Sequence, residues 1–330
     1  MNVVGRWLGL VFASAVFCGS LSRAADDDFA ARVAAHRTGP LTLTGVKQLD
    51  PSAAGVVAAA GYPAVLPDLE ELAPEAAAKL AALGKSLALD GLTSLSSETA
   101  AALAQLQAPL SFAKLAWLEP AAAAALAPHR NVLFLDGLAA ISPDTAAAIA
   151  AHAGPLSLDG LRAISPAAAA NLASHAQWLS LAGLETLSPD VAAAIAPHRG
   201  PLLLDGLVWL PPQTAAALSD CEGPLCLGSL VSLSSESAIA FRTGPPTLLL
   251  PSLDRLTLQV AESIAARTGR TLITGIEPLG IAEAKALAAA AGRIDLRIAP
   301  ETAAETAAIL RQAKAIVVDE NAPPLAEQKP

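Results

Sequence analysis

Residues 154–176 read GPLSLDGLRAISPAAAANLASHA, and the fold follows from how this stretch is read. Leu156 and Leu158 flank Ser157, an alternation that predicts a short strand with one buried face. Asp159-Gly160 turns the chain out of that strand, and Leu161 and Ile164 send two more apolar groups inward. Ser165-Pro166 starts a helix, with Ser as cap and Pro, its φ preset, at the first helical position. In Ser142-Pro143-Asp144 an Asp also meets the positive end of the helix dipole. The Ala-rich run is a good helix former, and the next Gly-Pro pair ends the helix and opens another strand.

The unit recurs every 23 residues. With Gly45 as position 0, twelve copies fit from Gly39 to Lys314 without insertion or deletion. Position −2 is large and apolar in all twelve, from Leu43 through Phe112 to Leu296. Position +9 is Ala in all twelve, from Ala54 to Ala307. Position +12 is again large and apolar throughout, from Val57 through Phe241 to Leu310. Positions +9, +12 and +13 form the helical stripe expected to face the strands. The constant Ala marks where neighbouring helices approach most closely.

The motif L-x-L-x-G-L-x-x-L, carried by Leu156, Leu158, Leu161 and Ile164, resembles a bacterial, Ala-rich leucine-rich repeat. It departs from the usual pattern, because Gly or another residue stands where Asn or Cys would form a ladder. The expected fold is α/β, a right-handed solenoid of strand–helix coils with one parallel sheet. Strands ~4.8 Å apart give a sheet roughly 55–60 Å long. Helices spaced ~8–10 Å apart curve the stack gently.

Residues 1–24 read as a secretory signal peptide: Arg6, an apolar run from Trp7 to Phe17, then Ser22-Arg23-Ala24 before the cut. Cleavage removes Arg6 and Arg23 but no anion, taking the formal charge from −9 to −11. The expected product is exported to the periplasm, the cell envelope or the medium, without stable membrane insertion. Residues 25–38 form an N-terminal cap helix, 39–314 the repeats, and 315–330 a final strand, one residue out of phase, with a loose tail. The chain is 53% hydrophobic but only 3% aromatic, so Ala and Leu fill thin layers where Phe would fill a wide core. The acidic balance argues against nucleic acid as a partner.

Four sets of residues are candidates for chemistry. His129, His152, His175 and His198 share position +15 in consecutive coils, read as helix-end residues in preference to metal ligands. Helix C-termini there would raise their pKa values, and mutual repulsion along the row would oppose the rise. Asp90, Asp136, Asp159 and Asp205 share position −1, read as turn residues bonding their own downstream backbone in preference to a cation site. Cys221 and Cys226 are read as free thiols, with a disulfide as the rival. Position −3 faces outward on the concave sheet, with Phe134, Ser157 and Ser180 followed by Leu203, Cys226, Leu249 and Leu272. That apolar stripe, with Val208 and Trp209 nearby and a charged edge at Arg293, Asp295 and Arg297, is the expected contact surface.

No nucleophile elbow, zinc-protease helix motif, phosphate loop or dinucleotide fingerprint occurs, and no cofactor is implied. The function expected is a non-enzymatic scaffold that binds another protein through its concave face. The rivals are an envelope component with no dedicated ligand and, more weakly, metal binding through the His or Asp ladder. Ala146→Leu is expected to overpack the helix seam at a cost of ~1–3 kcal/mol, read as a lower urea midpoint with an unchanged slope.

Overall fold

The computed structural model describes residues 27–276, 279–298 and 302–319. The signal segment expected at 1–24 and the tail beyond 319 lie outside them. The described residues fall into two compact units, one ending at Leu181 and the other beginning at Ala182.

Every coil of both units has one short strand and one short helix. In the first unit seven parallel strands, from Leu41–Thr42 to Leu179–Ser180, pair in order with partners 23 residues apart, as in Leu133↔Leu156. In the second unit six parallel strands run from Leu202–Leu203 to Ile316–Asp319. The final strand pairs Ile294 with Ile316, one residue out of the 23-residue phase, as expected. A small second sheet, Gln48–Leu49 with Glu71–Leu72, adds to the single sheet that the repeat predicts.

The helices start where the sequence places them. Ser142, Ser165 and Ser188 each accept a hydrogen bond from the amide three residues on, and Pro occupies the first turn. Most span only seven residues, as in Pro166–Leu172. A helix this short has no intrinsic stability in water, so packing must hold it. All twelve residues at each of positions −2, +9 and +12 are buried. The third member of the buried stripe is position +8, with Ala122, Thr145, Ala168 and Thr214, more consistently than +13. In coils such as Pro166–Leu172 the helix ends at +12 and +13 is its cap, and the two arginines at +13, Arg242 and Arg311, are exposed.

Position +8 also ties coils together. Thr99, Thr145, Thr214 and Ser237 donate their hydroxyls to the carbonyls of Leu72, Leu118, Leu187 and Leu210, one coil back, at 2.9–3.1 Å. Gly at position 0 serves the same approach. A Cβ on Gly137 would stand 2.6 Å from the Leu115 nitrogen and 2.8 Å from the Ala113 oxygen. Gly137 and Gly160 lack positive φ, so coil-to-coil proximity selects glycine there, where the sequence suggests a turn requirement.

The N-terminal helix Asp27–Ala35 buries Phe29 and Val33, as a cap should. Arg37 donates to the carbonyls of Ala34 and His36 at its C-terminal end.

Thr145→Val keeps the volume but leaves the Leu118 carbonyl without its donor. The expected loss is ~1–3 kcal/mol of unfolding free energy, measured by chemical denaturation.

Candidate interaction face

Strand alternation puts position −3 on the face opposite the helix layer. In the first unit this row mixes apolar Val65, Ala88 and Phe134 with polar residues, and its serines are internally bonded. Ser111, Ser157 and Ser180 donate to the Oδ1 atoms of Asp90, Asp136 and Asp159, at 2.9, 2.6 and 2.5 Å. Asp90 Oδ1 also accepts from the Ala113 amide at 3.1 Å, and Asp136 Oδ1 from the Asp159 amide at 3.0 Å. In the second unit Asp205 Oδ1 accepts from the Gly228 amide at 2.8 Å. These carboxylates therefore bond the next coil, correcting the expectation that each bonds its own turn. The strands run parallel with a 23-residue offset, so the following coil's amide lies nearer than the residue's own downstream amides. The Asp row does the work that an Asn ladder would do.

Burial raises the Asp136 carboxyl above its usual range. The Ser157 hydroxyl opposes the shift, and the Asp159 and Asp90 charges reinforce it. The ionised form is thus disfavoured in the fold.

The apolar stripe is narrower than the sequence implies. Leu203 and Cys226 are only 4% and 6% exposed, whereas Leu249 and Leu272 are half-buried. Residues at position −3 in paired strands stand side by side, as in Leu203↔Cys226↔Leu249↔Leu272, and burial decreases along this row. The row ends at Asp295, which pairs with Arg270 at 2.5 Å and Arg293 at 2.8 Å. Burial pushes the Asp295 carboxyl up, but the hydrogen bonds from both arginines outweigh it and hold the group below its usual value.

The open apolar groups lie at positions +2 and +3, beyond the strand. Trp209 is 63% exposed and Val208 57%, with Val231 45% exposed in the next coil. The Asp254 amide donates to the Val231 carbonyl at 3.1 Å, so this row keeps hydrogen-bonded spacing from coil to coil. In the first unit Trp117, also at +3, is 55% exposed. The sequence singles out Trp209 but passes over Trp117 and Val231, although their shared phase with Trp209 and Val208 was the available signal.

Cys221 and Cys226 are free and buried. Burial pushes the Cys221 thiol up to about 12, and burial with the Asp205 charge raises Cys226 as well. Cys226 does not point into solvent as the strand alternation suggests.

The histidines follow the helix ends, as expected, with the amides of His129, His152 and His175 donating to the carbonyls of Leu126, Ile149 and Leu172, and their side chains are interior. His129, His152, His175 and His198 are all fully buried. Within the first unit the rings of His129 and His152 stack with centroids 5.7 Å apart at 15°, and those of His152 and His175 at 6.1 Å and 6°. Burial lowers the pKa values of His129 and His175, and burial with both flanking rings lowers His152 to about 4. This reverses the rise expected from helix C-termini. Among the described residues no group of three or more His, Cys, Asp and Glu is placed to hold a metal ion. None of their helices is long and apolar enough to cross a membrane.

Position +15 contains one further group that the sequence reading missed. Arg267 is buried, donating to the carbonyls of Phe241 and Pro245 and to Thr271 Oγ1 at 3.1 Å. Its guanidinium reaches Gly244, which occupies the same position one coil back. The pairing of a Gly with a long side chain one period later was the signal. Burial lowers its pKa to about 10.

No family model matches the chain, and no curated protein matches it in sequence. It is similar to the solved structure of a leucine-rich-repeat protein from Leptospira interrogans, with 14% identity and a TM-score of 0.38 over 83% of this chain and 76% of that one. Parallel strands 23 residues apart, with a helix between successive strands, make each unit leucine-rich-repeat-like.

Asp136→Asn keeps an acceptor for Ser157 and the Asp159 amide while removing a buried charge. It is expected to match or exceed the parent's stability at neutral pH, whereas Asp136→Ala loses ~1–3 kcal/mol. Urea denaturation of both variants measures the difference.

Proposed function

We propose that this chain is an exported, non-enzymatic scaffold that binds another protein through its second unit. The observation that carries the reading is the exposed apolar group Val208, Trp209 and Val231, which follows the strands of two adjacent coils. Trp is the side chain most often found at the energetic centre of a protein interface. Leu249 and Leu272, half-buried on the sheet face, extend the proposed contact, while Leu203 and Cys226 support it from beneath. The non-enzymatic reading draws support from where the polar side chains are spent. The Ser and Asp groups of the inner face and the Thr groups of the helices bond neighbouring coils. Export rests on the leader expected at residues 1–24.

The test is cross-linking in the native cells, with Trp209→Ser and with the pair Leu249→Glu and Leu272→Glu. Loss of an interface anchor worth ≥ ~2 kcal/mol lowers affinity roughly 30-fold, so the cross-linked partner should disappear while thermal melting of the Trp209 variant is unchanged. Unchanged partner recovery from both variants would sink the reading.

A further inference from the structure

Three fully buried imidazoles form one continuous stack through consecutive coils of the first unit, at His129, His152 and His175. Their hydrogen bonds show which protonation state the fold accepts. His152 Nε2 lies 3.2 Å from the Asn131 carbonyl, and His175 Nδ1 lies 3.3 Å from the Ala150 carbonyl. A carbonyl accepts, so each of these nitrogens carries the proton of a neutral ring. His152 Nδ1 and both nitrogens of His129 make no well-formed hydrogen bond, and what faces these two rings is backbone, the carbonyls of Pro155 and of Ala104, Leu106 and Val132. A second proton on His152 would therefore place a positive charge in a buried site that offers it backbone carbonyl dipoles and no anion.

Nothing packed around the stack supplies an anion. The segments that enclose it, 104–108, 127–132, 150–155 and 173–178, contain no Asp or Glu, and their one charged residue is Arg130, an exposed cation. Glu98 and Asp144 sit in the first turns of their helices, at the opposite end from the histidines. That is a distance of ~10 Å for a seven-residue helix. Each ring's nearest ionisable neighbour is another histidine, so the second protonation is opposed by the first. One and two coils before His129 the same position is filled by Leu106 and Leu83, both buried, where acid changes nothing.

We propose that the His129–His152–His175 stack is an acid-released seam, which holds these coils together while its rings are neutral and lets them open locally when acid protonates them. The sign follows from linkage. The folded-state values lie below the unfolded value of ~6.5, so the stabilisation is complete above that pH. It is lost as pH falls toward the folded values, which for His152 is about 4. Coils of a solenoid contact only their neighbours, so the opening stays within the coils that carry the stack.

Hydrogen exchange of the full chain at about pH 7 and about pH 5, corrected for the intrinsic pH dependence of exchange, tests this. Protection across 126–181 should fall ~10-fold more than protection across 80–106. In a variant with His129→Leu, His152→Leu and His175→Leu the difference should vanish, because Leu already fills this position at Leu83 and Leu106. Should the triple variant not fold, His152→Leu alone removes the central ring and should at least halve the effect on a logarithmic scale. An unchanged protection ratio in the parent chain, a loss spread evenly over both segments, or the same local loss in the folded variant would each overturn the proposal.

Discussion

Successive coils pack their helices against one another, and at one position in each the buried side chain is always a methyl group. The twelve Ala residues at position +9 are that place, and all are buried. A seven-residue helix cannot persist by its own hydrogen bonds, so each owes its existence to the neighbour on which the methyl rests. The glycines at position 0 answer the same constraint on the strand side, where the backbone of one coil meets that of the last. Volume is limited along the stack axis at every level, and this accounts for the scarcity of aromatic residues better than a general thinness of the layers does.

Close approach also decides where polar groups are placed. A hydroxyl at +8 reaches a carbonyl one coil back, and a carboxylate at −1 reaches an amide one coil ahead. The two directions are complementary, so a coil with both groups, such as that of Asp136 and Thr145, is tied to the coil before it and the coil after it by groups that would be costly to bury unpaired. Burial that would penalise the Asp136 carboxylate is partly offset by the Ser157 hydroxyl. These bonds confer register as much as stability, because a slip of one residue would lose every one of them.

Much of this was legible in the 23-residue period. The buried rows at −2, +9 and +12, the Ser caps and the out-of-phase last strand all follow from residue type at a fixed position. What was not legible depends on a second coil. The partner of Asp136 lies 23 residues away and is the backbone of Asp159, which every residue type would offer. The burial of Leu203 and Cys226 depends on their neighbours in adjoining strands. The histidines were placed correctly in phase and at the helix ends, while the depth of their burial was not read. A helix-end position looks exposed in one coil and becomes interior only when the next coil closes over it.

Position +15 shows how such a column is governed. It accepts Ala, Leu, His, Cys, Gly and Arg, residues with little chemistry in common. What each must satisfy is the space left by its neighbours: Arg267 extends into the room that Gly244 leaves, and three flat rings fill their stretch by stacking. Apolar Leu fills the column without any dependence on solvent conditions, whereas imidazole fills it only while neutral. Three adjacent imidazoles, with no carboxylate in the segments around them, make the packing of one stretch conditional on pH and leave the Leu83 and Leu106 coils unconditional. A column selected for volume alone would have no reason to make that distinction.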